Sequence, residues 1–306
     1  MKAARFHTYG GPDVLVVEDA PEPHAIPGSV RIAVQAVSVN PIDYIVRSGD
    51  IQDVIPLDLP AITGRDAVGI VDEVGDGVAG THIGDRVFGL GGISDTAGEY
   101  AVLTAWSQAP ARWSTEQAAA AGLASVTAAA AIEELGDLAG KTLLIDGASG
   151  AVGTAAAAMA RAAGATVIGT GSERNQNYLA GLGITASTYG PGLSSRVLEL
   201  APKGIDAALH AAPSASLPEL VQIVGDPTSV VTVIDTEGAA DLGAKKVDAR
   251  NESALVERGA KLGERGLYTP RADRALPLEA IAEAHNLAEK ESGKIIVHVR
   301  STDRSI

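Results

Sequence analysis

Thr142-Leu143-Leu144-Ile145-Asp146 runs directly into Gly147-Ala148-Ser149-Gly150-Ala151-Val152-Gly153, and from there into an alanine-rich stretch that stops at Gly164. The first run is apolar and has the length of a buried strand, and the alanine-rich stretch has the length of a helix. Thr166–Thr170 is a second apolar run, so the segment reads as a βαβ unit. The glycines fall where strand gives way to helix. At such a turn the missing side chains let the backbone bend and let a pyrophosphate approach, while the first helical turn presents free N–H groups and the positive end of its dipole. An ordinary glycine-rich turn in a chain rich in alanine and glycine is the plainer alternative. The flanking strand and helix favour a dinucleotide site, with Gly147 and Ser149 in its turn.

Outward from this unit the same pattern continues. Short apolar segments recur at Ala207–Leu209 and Val230–Ile234 with helix-like stretches between them, as in a doubly wound parallel sheet. Before it the pattern is different: Val30, Ile32, Val34 and Ala36 alternate with Arg31 and Gln35, and Gly64 to Gly84 holds six glycines among short valine and isoleucine runs. This predicts an irregular β barrel. Ser114 and Gln117 have capping-box spacing ahead of an alanine-rich helix reaching Leu135. A helix pattern over Pro277–Lys290 and an apolar strand over Ile295–Val299 close the chain.

The second strand of the βαβ unit ends in Gly169-Thr-Gly-Ser172-Glu173-Arg174-Asn175, where a ribose is read. Glu173 lies at about the right distance to accept from a 2′-hydroxyl, which favours NADH. It falls beyond the strand, however, between a hydroxyl and a guanidinium suited to a 2′-phosphate, so Ser172 and Arg174 favour NADPH. The alternative is that these three residues only cap the next helix.

Composition excludes several classes of function. The 306 residues carry 24 Lys and Arg against 38 Asp and Glu, a net charge of −14, which repels a phosphodiester backbone and argues against nucleic acid. With no cysteine there are no disulfides, thiol nucleophiles or cysteine-held metals. The start lacks an apolar leader, and the uncharged run Gln117–Ile132 is shorter than the roughly 18 residues of a membrane span, so a soluble cytoplasmic protein is expected.

Several further segments, in order, resemble one family: Asn40-Pro-Ile-Asp43, Gly64-Arg-Asp66-Ala-Val-Gly69, Gly84-Asp-Arg-Val87, Gly98-Glu-Tyr100, Ala124-Ser-Val-Thr127, GASGAVG itself, Pro277 to His285, and Gly293-Lys-Ile-Ile-Val297. Together they resemble the medium-chain dehydrogenase/reductase superfamily in its zinc-independent quinone oxidoreductase branch. The resemblance implies an α/β fold in which a Rossmann doubly wound parallel sheet domain, residues 122–250, is inserted into a GroES-like β-barrel domain, residues 1–121, to which 251–306 return. It implies that Gly150, Ala151, Val152 and Gly153 lie under the pyrophosphate, that Thr127 faces the nicotinamide or its phosphate, and that Asn40 reaches the nicotinamide end. Ser172 and Arg174 then lie at the adenosine end, with Tyr189 near the 2′-phosphate or adenine. A homodimer is implied as well.

Zinc-dependent relatives have Gly-His-Glu where this chain has Gly64, Arg65 and Asp66, and the six histidines show no ligand spacing, so no zinc is expected. Two departures bear on the chemistry. Ile45 stands where some quinone reductases have a substrate-facing tyrosine, with Tyr44 one place earlier, and His210 stands where relatives often have an aspartate. His210 is read either as facing the nicotinamide or as filling the sheet edge. Without a metal, hydride transfer needs an activated acceptor such as a quinone or an α,β-unsaturated carbonyl. Tyr44 and Arg65 are the candidates to stabilise the reduced oxygen, with Arg65 alternatively paired to Asp66 or Asp43; Asn40 and Ile45 are the other candidate acceptor contacts. Two rival readings are a non-catalytic NADP(H)-binding sensor or scaffold and a methyltransferase whose turn holds S-adenosylmethionine.

Overall fold

The computed structural model describes residues 1–291 and 293–300. Backbone contacts divide the chain into two compact units: one of Met1–Leu123, Asn251–Glu264 and the described residues from Thr269 onward, the other of Ala124–Arg250 and Arg265–Tyr268.

The second unit is built on six strands, in spatial order Thr185–Ser187, Thr166–Thr170, Thr142–Asp146, Ala207–His210, Val230–Thr232 and Lys245–Lys246, with every pair parallel. Numbered along the chain this order is 3-2-1-4-5-6, the doubly wound arrangement with its switch point beside the first strand. Leu143, Leu144 and Ile145 are all buried, as expected of a parallel strand covered on both faces. Leu144, Ile168, Ala208 and Val230 from neighbouring strands pack with Leu193, Val197, Leu217 and Leu220 from helices. The fifth strand stops at Thr232 instead of reaching Ile234, because Thr232 Oγ1 accepts from the N–H groups of Ile234 and Asp235, and Asp235 then caps the helix Thr236–Leu242.

The first unit takes its barrel-like form from a three-stranded and a seven-stranded sheet. Val30–Val39 is central to the larger one: Val30, Ile32, Val34 and Ala36 are buried with half-buried residues between, and from Ala36 onward the strand is covered on both faces. Its antiparallel neighbours are Asp66–Val74, Tyr100–Leu103 and Ile295–His298, and the last of these pairs on its other side with Arg274–Pro277. The helix pattern over Pro277–Lys290 resolves into a 3-10 turn, Leu278–Ala280, and a helix, Ile281–Lys290.

Thr115–Leu135 carries the chain from the first unit to the second as one helix. Its start is the capping box read from the sequence: Gln117 N–H donates to Ser114 Oγ at 3.2 Å and Ser114 N–H to Gln117 Oε1 at 3.0 Å. At 21 residues it is long and apolar enough to cross a membrane, which the shorter uncharged run did not suggest, but 78% of its apolar window is buried inside the protein.

Candidate active site

In the second unit the turn after Thr142–Asp146 depends on two glycines. Gly147 has φ +83°, and a Cβ there would lie 2.8 Å from Ala212 Cβ. A Cβ on Gly153 would lie 2.2 Å from Gly147 O and 2.6 Å from Ala148 Cα, so the helix Ala151–Ala162 rests directly on the turn. Gly150 is the N-cap of that helix and has no side chain to occupy its free N–H groups. The strand end is tied from both sides by Asp146, which accepts from Thr170 Oγ1 at 2.5 Å, Ser214 Oγ at 2.7 Å and Ser216 Oγ at 2.6 Å. Thr170 Oγ1 in turn accepts from Gly147 N–H.

Beyond the second strand, Asn175 Nδ2 donates to Ser149 Oγ at 3.1 Å, which joins the segment after the strand to the glycine turn. Gln176 Nε2 donates to the carbonyls of Gly171, Ser172 and Ser187. Ser172 Oγ is buried without a hydrogen-bond partner, and Glu173 and Arg174 are exposed beside it. Ser172 makes no side-chain cap to the 3-10 turn Glu173–Asn175 that follows. Tyr189 is 58% exposed, on a loop whose carbonyls at Thr188, Tyr189, Gly190 and Pro191 all accept from Arg196. Thr127 is buried within its helix.

His210 does not fill a sheet edge. Its strand pairs on both sides, and the ring is buried between Thr232 Oγ1 at 3.0 Å from Nδ1 and Ser214 O at 3.2 Å from Nε2. Nε2 therefore carries the proton toward the Ser214 carbonyl, and burial pulls the ring's pKa down, keeping it neutral.

In the first unit the strand Val30–Val39 hands over to the helix Pro41–Ser48 at Asn40, a capping box in which Asn40 N–H donates to Asp43 Oδ2 at 2.7 Å. The Asn40 side chain is oriented at both ends: Nδ2 donates to Asp66 Oδ1 at 3.0 Å and Asp43 Oδ2 at 3.2 Å, and Oδ1 accepts from Lys294. Tyr44 and Ile45 follow on the same helix, both half-buried; burial, with the charges of Glu289 and Asp43, raises the Tyr44 pKa.

Arg65 pairs with neither Asp66 nor Asp43, as the sequence had allowed. Its guanidinium donates to Asn251 Oδ1 at 3.0 Å and to Gly92 O at 3.4 Å, because Asp66 is already taken by Ser38 Oγ, Asn40 Nδ2 and Leu123 N–H. Among the described residues no group of three or more His, Asp or Glu is placed to hold a metal ion. The sequence reading gave no role to Asp146, Asn175 or Arg196, and to Asp43 only the alternative pairing with Arg65; the spacing of Asp43 from Asn40 was the one available signal for its place in the cap.

Residues 26–122 match the alcohol dehydrogenase GroES-like domain family. The quinone oxidoreductase of Sus scrofa is 31% identical over 313 residues, with 93% of each chain covered. That of Homo sapiens is 30% identical over 314 residues at the same coverage. The solved quinone oxidoreductase of Coxiella burnetii is similar with a TM-score of 0.84 at 27% identity, over 98% of this chain and 99% of that one. The chain belongs to the medium-chain dehydrogenase/reductase superfamily, in its quinone oxidoreductase branch. It is an oxidoreductase of that type.

Proposed function

We propose that the protein is an NADPH-dependent, zinc-independent reductase of quinones or α,β-unsaturated carbonyls. The observation that carries the cofactor reading is the buried, unpartnered Ser172 Oγ at the end of the second strand, next to the exposed Arg174. An unsatisfied buried hydroxyl costs about 1–3 kcal/mol, and a 2′-phosphate supplies it with an acceptor while pairing with the guanidinium. The close approach of Gly153 to Gly147 and the open helix start at Gly150 fit a pyrophosphate on the same turn.

The bound dinucleotide supplies a hydride to an electron-poor carbon. Gly150, Ala151, Val152 and Gly153 hold its pyrophosphate, Thr127 and Asn40 its nicotinamide end, and Tyr189 the adenosine end. Arg65 offers a fixed cation and Tyr44 a hydroxyl to the oxygen on which charge develops, with Ile45 as an apolar contact. The donor set supports the zinc-independent reading: no cysteine, a guanidinium at Arg65, and an Asp66 whose oxygens are already engaged. From the resemblance we further infer a homodimer, which sedimentation equilibrium tests.

Thermal-shift titration with NADPH and NADH in parallel, followed by loss of reduced-nicotinamide absorbance with 9,10-phenanthrenequinone, tests this reading. NADPH stabilises the protein more and is oxidised when the quinone is added. A preference for NADH hands the ribose site to Glu173, and binding without oxidation favours the sensor reading. In the same assay Arg174→Ala weakens NADPH binding about ten- to a hundredfold and leaves NADH unchanged, as expected for loss of one charge-assisted contact of about 1.5–3 kcal/mol. Equal losses for both cofactors remove Arg174 from the 2′-phosphate site.

A further inference from the structure

Gln176 opens the helix Gln176–Gly181, beyond the second strand of the parallel sheet, and the proposed function gives it no part. Its Nε2 donates to Gly171 O at 2.9 Å, Ser187 O at 3.0 Å and Ser172 O at 3.2 Å. A primary amide has two N–H bonds, so three acceptors commit both of them and one hydrogen is shared. The same three carbonyls fix the sense of the amide, because its own oxygen in that place would meet three like partial charges. Gly171 and Ser172 directly follow the strand Thr166–Thr170, and Ser187 ends its parallel neighbour Thr185–Ser187. Gln176 therefore ties together the carboxyl ends of two adjacent strands, the end of a doubly wound sheet at which ligands bind.

Other bonds hold the same backbone. Gly171 N–H donates to Ser187 O at 3.0 Å, and Asn175 N–H donates to Ser172 O at 2.9 Å. A Cβ on Gly171 would lie 3.2 Å from Ser149 Oγ, so this segment packs on the glycine turn to which Asn175 also binds. The carbonyls of Gly171, Ser172 and Ser187 are thus turned onto one amide, and those of Thr188, Tyr189, Gly190 and Pro191 onto Arg196. The negative ends of these peptide dipoles are occupied within the protein. Ser172 Oγ, by contrast, is buried and has no partner.

We propose that Gln176 is the positioning residue that sets the preference for a 2′-phosphate over a 2′-hydroxyl, acting through Ser172 and without touching the dinucleotide. The proposal rests on the NADPH reading above. A phosphate is an acceptor only, so beside Ser172 it needs the hydroxyl hydrogen presented to it and the neighbouring carbonyl oxygens held away. A ribose 2′-hydroxyl can donate as well as accept, and it meets a carbonyl oxygen without penalty. Without the Gln176 amide, the carbonyls of Gly171 and Ser172 lose a donor, and the backbone that aims Ser172 Oγ loses its anchor to Ser187. The cost falls on the cofactor that carries the phosphate. A residue that only supported the fold would weaken both cofactors alike.

The test is calorimetric titration of the full chain with NADPH and with NADH, for the unaltered protein, Gln176→Met, Ser172→Ala and the double variant. Methionine keeps the length of the side chain and removes its donors. Gln176→Met raises the NADPH Kd about tenfold and the NADH Kd less than about twofold, the loss expected for one hydrogen bond to a charged group. Ser172→Ala gives the same pattern, and the double variant is no worse than either single one, because both changes remove one interaction. Gln176→Asn, which keeps the amide on a shorter stem and reaches fewer of the three carbonyls, falls between. Equal losses for both cofactors in Gln176→Met, an unchanged NADPH Kd, or losses that multiply in the double variant overturn the proposal. If Gln176→Met fails to fold, the ratio of the two Kd values in Gln176→Asn decides: a ratio unchanged from the unaltered protein overturns the proposal, and a reduced one supports it. An unaltered protein that binds NADH as tightly as NADPH removes the NADPH reading and this role with it; a preference for NADPH that survives Gln176→Met in full removes this role alone.

Discussion

Gly153→Ala abolishes dinucleotide binding and lowers folding stability by about 3 kcal/mol. The atoms that a Cβ would meet, at 2.2 and 2.6 Å, are the backbone oxygen of Gly147 and the Cα of Ala148, neither of which can swing aside as a side chain does. Relief requires the helix Ala151–Ala162 to lift from the turn, which moves its free N–H groups away from the pyrophosphate. Gly150→Ala is the internal control: its nearest neighbour is Gly147 O at 3.3 Å, a tight contact that a small shift relieves, and its φ of −78° suits alanine. Calorimetric titration with NADPH and urea unfolding of both variants check the contrast. A Gly153→Ala protein with unaltered affinity contradicts the role given to this turn.

Arg47→Ala has the second large effect, a loss of about 3–5 kcal/mol of stability. The guanidinium is 2% exposed and ties its own helix to two other segments of the first unit: Nε donates to Gly10 O at 3.1 Å, and, on the helix Ile281–Lys290, Nη1 donates to His285 Nδ1 at 3.0 Å and Nη2 to Glu289 Oε1 at 2.6 Å. His285 is held neutral, its pKa pulled down to about 3 by burial and by the Arg47 charge, and so accepts at Nδ1. Truncation leaves a carbonyl, an imidazole nitrogen and a carboxylate without their donor, and a cavity besides. Lysine does not rescue it, because one ammonium lacks the planar fork that reaches all three. Urea denaturation that registers less than about 1 kcal/mol for Arg47→Ala contradicts this account.

The parts of the fold that were legible rest on local signals. Glycine spacing marked the turn at Gly147, capping-box spacing marked Ser114, and alternation marked Val30 to Ala36, each within one or two turns of chain. The strands Thr185–Ser187 and Lys245–Lys246 are too short to show a period. The helix Ser253–Glu264 was not read from the sequence; near its end a Cβ on Gly263 would lie 2.4 Å from the Trp113 ring, so its bareness seats the indole. Asn40 was legible as a motif residue, but its partner Lys294 lies 254 positions away, a distance no local pattern spans. Arg65 shows the same limit. Adjacency in sequence suggested Asp66, and the structure gives Asp66 to Ser38, Asn40 and Leu123 instead.

The strand Ile295–His298, seated between Val30–Val39 and Arg274–Pro277, bears on how a ribosome delivers this protein. Val30–Val39 emerges early and its first half soon meets Tyr100–Leu103 on that flank, but the partner of Ala36–Val39 follows after more than 250 residues, roughly tens of seconds later at ordinary elongation rates. Through that interval the second unit, whose strands all lie between Thr142 and Lys246, has its sheet complete, while the nascent first unit carries an unpaired flank beside one of its most apolar strands. Lys294 arrives with the late strand, so Asp43 and Asp66 await their shared cation until elongation is nearly finished.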